Sequence, residues 1–243
     1  MKIPQFGLAG LALLFATTVF SQAQETPAQA VQRAGAAHGR AAGNIPDSVA
    51  EGTLTYYAVN GPKATFDMTL FRKGKTHVQR IVKQGGHELR QGTDGTDSWD
   101  SISGQFSTAA QGRTLQFIES QTVRSVDVLL RHQSEGLTLH DRGLAGRARV
   151  IEAEDRQGRR TGYSIDGDSN AITRMEFVTT LGSDASGRSA SRRDTYVFSD
   201  FRPAEGILTP FKIERYNDGV KIEEMQFRSV QYNPALSDAI FKR

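Results

Sequence analysis

The residues with the most obvious chemical potential lie at 94–100, DGTDSWD, where Asp94, Asp97 and Asp100 place three carboxylates within seven positions. Such a group could gather calcium, but it lacks the glutamate at the twelfth position and the alternating ligands of an EF-hand loop. It reads instead as a turn leading into a strand. The five histidines, His38, His77, His87, His132 and His140, show no metal spacing such as H-E-x-x-H, and the absence of cysteine removes the usual ligands of structural zinc. They read as surface or strand polar residues. Glu152, Glu154 and Asp155 offer a carboxylate pair for glycosidic chemistry, yet a chain with 27 acidic residues offers such pairs by composition alone. No G-x-S-x-G elbow, S-x-x-K motif or glycine-rich phosphate loop occurs. No catalytic residue, metal or cofactor is therefore predicted, and the chain reads as a non-enzyme.

The sequence does supply apolar side chains on regular faces. In 53–59, Leu54, Tyr56 and Ala58 alternate with polar residues, and in 64–71 Phe66, Met68 and Leu70 do the same. Phe177, Phe198, Phe211, Ile213, Met225 and Phe227 continue the pattern on later segments, so each strand is apolar on one side. Strands are predicted at 53–59, 64–71, 76–84, 87–91, 96–101, 148–155, 162–165, 172–181, 195–201, 207–216 and 221–231. The turns between them are marked by Asn60-Gly61, Lys73-Gly74, Asp94-Gly95, Asp166-Gly167, Arg202-Pro203 with Glu205-Gly206, and Asp218-Gly219. The tract 182–193, GSDASGRSASRR, reads as a flexible loop.

Two segments have helical spacing. Thr26-Pro27 resembles an N-cap followed by proline at the first helical position, opening a short helix to about Ala37. Over 114–132, Leu115, Ile118, Thr122, Val126 and Leu129 recur at helical intervals, with Glu119 near the start and Arg131 near the end, and Gly136 is placed to stop the helix. The predicted fold is mainly β (α+β): a large curved antiparallel sheet of about eleven strands, its concave face covered by the helices. Two helices facing that many one-sided strands leave apolar area uncovered, which implies a cavity for an apolar ligand.

Lys2 is the only charge in residues 1–23, 6–20 is almost wholly apolar, and Ser21-Gln22-Ala23 has small residues at a cleavage site. The apolar run is shorter than the roughly 20 residues of a membrane-spanning helix. Residues 1–23 are thus predicted to be a signal peptide cleaved after Ala23, and 24–243 a single exported domain. Without Lys2, 29 basic residues face 27 acidic ones. With no basic block longer than a pair such as Arg159-Arg160 or Arg192-Arg193, no nucleic-acid partner is expected.

The order of elements, with TDGTDSW at 93–99 before the long helix, resembles the periplasmic lipoprotein-carrier and outer-membrane lipoprotein-sorting superfamily, the LolA-like fold. The C-terminal stretches YSIDGDSNAITRMEF (163–177), YVFSDFRPAEGILTPFKIERYNDG (196–219) and FRSVQYNPALSDAIF (227–241) carry the same likeness. The resemblance implies an incomplete β-barrel with a helical lid over a hydrophobic cavity that accepts lipoprotein acyl chains or another lipid. It implies a monomeric periplasmic carrier or chaperone with protein partners at the inner and outer membranes, and Leu115, Ile118, Val126 and Leu129 lining the lid. In that family an arginine ties the lid closed; Arg80 and Arg90, on early strands, are the candidates. Two other readings stand beside the carrier: an envelope-associated interaction domain whose cavity is filled by its own side chains, and a secreted hydrolase using unrecognised carboxylates.

Overall fold

A computed structural model describes residues 25–39, 46–58, 64–107, 112–183 and 189–242; the predicted signal peptide and the Asn60-Gly61 turn lie outside them. Helix α1 (Pro27–Ala37) begins at the expected cap: the Thr26 hydroxyl accepts from the Gln29 amide and the Gln29 side chain bonds back to the Thr26 amide. Its buried stripe, Ala30, Val31, Ala34 and Gly35, is built of small residues that allow close packing.

Six strands follow: β1 (Ser48–Tyr56), β2 (Ala64–Lys73), β3 (His77–Gln84), β4 (His87–Asp94), β5 (Ser98–Ile102) and β6 (Gln105–Ser107). Three short helices come next, α2 (Arg113–Gln121), α3 (Val126–Leu130) and α4 (His132–Glu135). Seven more strands complete the chain: β7 (Thr138–Ala145), β8 (Ala148–Glu154), β9 (Arg160–Asp166), β10 (Ile172–Ser183), β11 (Ser189–Ala204), β12 (Ile207–Asn217) and β13 (Val220–Tyr232), with a final 3₁₀ turn at Asp238–Phe241.

All thirteen strands form one sheet in the order β6-β5-β4-β3-β2-β1-β13-β12-β11-β10-β9-β8-β7, with every adjacent pair antiparallel. The first meander runs out to the β6 edge. The helices then carry the chain to the opposite edge, β7, and the second meander returns until β13 zips onto β1. The sheet is an unclosed barrel, and α2–α4 form the lid between its two free edges.

The β1–β13 seam is tight. A bulge falls at Glu51/Gly52, where a Cβ on Gly52 would stand 2.1 Å from the Gln226 carbonyl oxygen. Only glycine lets the two meanders approach this closely.

Several expectations are corrected. The expected incomplete barrel stands, and among the described residues it has two strands beyond the eleven read from the sequence: β6 is three residues long, and β7 is an edge strand whose residues from Asp141 onward are exposed, so neither shows apolar alternation. The single helix over 114–132 is three pieces. Its break lies at Thr122 (φ −114°, ψ −86°); the Thr122 hydroxyl bonds back to the Ile118 carbonyl at 2.8 Å, and Ser125 caps α3 by accepting from the Val128 amide. Thr122 and Val123 fit the helical stripe as well as any residue, so periodicity passes over the break. Much of the 182–193 tract is strand, since Thr180 pairs with Ser191 and Ser183 with Ser189. Arg202-Pro203 belongs to β11, and the turn is Glu205-Gly206 alone, both at positive φ (48° and 81°). Pro210 keeps its register with Phe201 of β11, while pairing of β12 with β13 starts only at Lys212.

Candidate ligand cavity

Strand alternation delivers Leu54, Met68, Leu70, Val78, Val82, Ile151, Ile165, Met175, Phe177 and Phe227 to the interior, where α1, α2 and α3 close over them. Between the sheet and α3 remains a cavity of about 110 Å³. Its apolar wall includes Leu70, Val126, Ile172, Met175, Phe198, Phe201, Ile213 and Phe227, and its polar wall His38, Arg72, Ser120, Asp127, Tyr196, Thr209 and Tyr232.

Of the residues the sequence proposed, Leu70, Val126, Phe198, Ile213 and Phe227 meet at this cavity. Met68, Ile118, Leu129, Phe177, Phe211 and Met225 are buried in the surrounding core without lining it. Tyr56 and Phe66 are half-buried and pack edge to face, 5.7 Å between ring centroids. Leu115 is 41% exposed and lines a separate surface groove with Arg124 and Phe177, not this cavity. Its misplacement follows from the broken helix, whose short first piece turns Phe117 and Ile118 inward instead.

Most of the interior is filled by the apolar core, and beside it lies a buried charge cluster. Arg80 (β3), Arg215 (β12), Glu223 (β13) and Asp194 (β11) are each no more than 1% exposed. Arg215 donates to Glu223 at 3.1 Å and to Asp194 at 2.9 Å, and Arg80 reaches Glu223 at 3.4 Å. Two cations and two anions compensate each other, which is what makes their burial tolerable. Burial would depress the Arg215 guanidinium, but the adjoining Tyr196, Glu223 and Asp194 hold its pKa above the ordinary value. Arg80 also stacks on the Phe117 ring, 4.0 Å from its centroid.

This cluster grips the lid. Arg215 donates to Gln116 of α2 at 2.6 Å, and Arg80 bonds Gln91, whose amide bonds the Thr114 hydroxyl at the start of α2. At the far side of the lid, Arg72 pairs with Asp127 of α3 at 2.7 Å, and the buried Tyr163 hydroxyl donates to the Arg124 carbonyl at 3.0 Å. Of the two arginines proposed as a lid tie, Arg80 is in contact with this network, while Arg90 is exposed and pairs with Glu88.

The sites considered for other chemistry do not assemble. Asp94 accepts from the Asp97 and Thr96 amides, which lowers its pKa, and so serves as a turn residue. Among the described residues no group of three or more histidine or acidic side chains is arranged to hold a metal. Glu152, Glu154 and Asp155 are engaged with Arg142, Arg160 and Arg159.

What the sequence reading missed is the polar half of the interior. Tyr196, Asp194, Arg215, Glu223 and Arg80 stand at the same strand parity as Phe198, Ile213, Met225 and Val82, so the alternation that located the apolar face also pointed these groups inward. His38, at the end of α1, bridges two strands: its Nε2 accepts from the Ile172 amide at 3.0 Å, which leaves Nδ1 as the donor to the Leu208 carbonyl, also 3.0 Å.

A LolA superfamily protein from Nitrosomonas europaea superposes with a TM-score of 0.58 at 12% identity, covering 90% of this chain and 99% of that one. The chain has the LolA-like fold. A putative outer membrane lipoprotein-sorting protein domain from Vibrio parahaemolyticus superposes at 0.56, with 12% identity over 89% of this chain and 96% of its own. A DUF1329 family protein from Desulfovibrio piger gives 0.55 and 12%, over 89% and 95%. No family model and no curated protein matches the sequence. The LolA-like architecture is therefore shared at a level where backbone topology persists and side chains do not, so this chain's own interior decides what it holds. No helix among its described residues is long and apolar enough to cross a membrane.

Proposed function

We propose that this chain is an exported, non-enzymatic carrier or chaperone of the bacterial periplasm, cleaved after Ala23, that shelters an apolar ligand beneath the α2–α3 lid. The observation that carries this reading is the cavity under Val126, lined by Leu70, Phe198, Ile213 and Phe227, in a LolA-like sheet whose two free edges are spanned by helices. An acyl chain of about sixteen carbons represents on the order of 12 kcal/mol of transfer from water, at about 0.8 kcal/mol per methylene. Most of this cancels when the chain moves between membrane and protein, so an imperfect cavity favours delivery over retention.

The cavity of about 110 Å³ is smaller than the roughly 300 Å³ of ordinary ligand pockets. In this reading the structure is the closed state, and a full chain enters by displacing the segment around Val126. The segment that would move is short, α3 being five residues long after the Thr122–Ser125 break, and its displacement would open the Arg72–Asp127 pair.

Native mass spectrometry of protein purified from a periplasm tests the proposal, with lipid expected to co-purify. Phe198→Glu should abolish that lipid while leaving secretion intact. A wild-type protein that is consistently empty and indifferent to added lipid would overturn the carrier. That result would favour the second reading, an interaction domain with a filled interior, which the buried Arg80–Glu223–Arg215–Asp194 cluster supports.

A further inference from the structure

A groove of about 820 Å³ runs beside α2 and across β8, β9 and β10, and it shares no lining residue with the cavity under Val126. Its wall carries five guanidinium groups, Arg124, Arg142, Arg159, Arg160 and Arg193, against three carboxylates, Glu119, Glu152 and Glu176. Asp155 and Glu154, the closest partners of Arg159 and Arg160, do not line it, so the wall itself is positive. Among these charges stand two aliphatic side chains, Leu115, 41% exposed, and Val178, 53% exposed.

Arg124 differs from the other four arginines. It is 6% exposed, and its guanidinium lies 4.4 Å from the centroid of the Phe177 ring. One terminal nitrogen donates to the Arg160 carbonyl and the Thr161 hydroxyl, each at 3.0 Å. Nε makes no hydrogen bond to a described residue, and the Glu119 carboxylate stands 3.7 Å from it, beyond hydrogen-bond reach. Burial pushes this guanidinium below the usual arginine value even with Glu119 nearby, the opposite of Arg215, which holds two carboxylates in hydrogen-bond contact. A buried cation with so little compensation costs free energy that an incoming anion returns.

We propose that this groove docks a partner protein through an extended acidic segment, with a carboxylate pairing with Arg124 and aliphatic side chains covering Leu115 and Val178. A carboxylate suits a guanidinium because it accepts two parallel hydrogen bonds. The volume falls within the roughly 300–1,000 Å³ of sites that enclose whole ligands, far more than a lone inorganic anion needs. A membrane surface fits poorly, since a flat bilayer does not reach a recessed side chain that a projecting carboxylate does. Arg124 belongs to the Thr122–Ser125 break, so a segment bound here bears on the joint between α2 and α3. The inference is independent of what fills the cavity.

The probe is a fluorescein-labelled peptide in which leucine and glutamate alternate, titrated by fluorescence anisotropy against the mature chain, with the matching leucine–glutamine peptide as control. The acidic peptide is expected to bind about tenfold more tightly than the control, and to weaken as salt rises. Arg124→Met should weaken it about tenfold. Because Arg124 also bonds Thr161 and the Arg160 carbonyl, Leu115→Glu is the second variant: it sets a like charge in the groove at an exposed position and should weaken the acidic peptide more than the control. An acidic peptide that fails to bind, that binds no better than its glutamine counterpart, or that is indifferent to Leu115→Glu overturns the proposal. Binding of phosphatidylglycerol vesicles in its place, lost in Arg124→Met, would also overturn it and assign the groove to a membrane.

Discussion

Replacing Arg215 by methionine isolates the interior charge cluster. The side chain is 1% exposed and donates to Glu223 (3.1 Å), Asp194 (2.9 Å) and Gln116 (2.6 Å). Methionine keeps much of the volume but removes the cation, leaving the two buried carboxylates with Arg80, 3.4 Å from Glu223, and the more distant, partly exposed Arg192, 3.9 Å from Asp194. Removing one partner of a buried ion pair costs about 3–5 kcal/mol. For a chain of this size each kcal/mol moves the midpoint by about 2–4 °C, so Tm should fall by roughly 6–20 °C. Urea unfolding followed by fluorescence of Trp99, the chain's one tryptophan and itself 1% exposed, reads the loss directly. The companion variant Arg215→Met with Asp194→Asn restores neutrality, leaving Arg80 opposite Glu223. It should be more stable than Arg215→Met alone, a non-additivity expected of residues in one network. If Arg215→Met costs less than about 1 kcal/mol, or if the second substitution simply adds to the damage, charge compensation is not what holds the interior together.

Three further outcomes follow from the same structure. Leu115→Glu should change stability by no more than about 0.5 kcal/mol because that side chain is on the surface of α2, whereas Ile118→Glu, one turn away and 4% exposed, should unfold the lid or the whole domain in the same urea assay. Gly52→Ala should destabilise by several kcal/mol or prevent accumulation of folded protein, since its Cβ would stand 2.1 Å from the Gln226 carbonyl oxygen. Burial raises the phenol of Tyr196 to about 12 and also raises that of Tyr163. A raised folded-state pKa gives stability that is complete below the unfolded value near 10 and is lost as pH climbs through the folded one. Stability should therefore fall from about pH 10 upward, and Tyr196→Phe should flatten that decline by up to about 3 kcal/mol at pH 12; an equally steep decline in the variant would place the titrating group elsewhere.

Much of the β architecture was legible locally. Side-chain alternation reports which face of a strand is buried, and hairpin turns such as Asp218-Gly219, with both residues at positive φ, are chosen by two residues at a time. The first helix was equally readable, because Thr26, Pro27 and Gln29 specify its cap without help from the rest of the chain. Edge strand β7 was not, since it is held by backbone pairing with β8 and buries little of its own surface.

The sequence by itself determined the inward parity of the strands, including the positions of Arg80, Asp194, Arg215 and Glu223 among apolar neighbours. Only the tertiary structure decided that these four charges, drawn from residues up to 143 positions apart, meet and neutralise one another. Only it decided that Leu115 is left partly exposed while Tyr196 lines a small cavity. The reason is physical: a strand's period fixes the direction of each side chain, but the curvature of the sheet and the crossing of the lid fix the distances between them. Charge compensation and cavity volume depend on those distances.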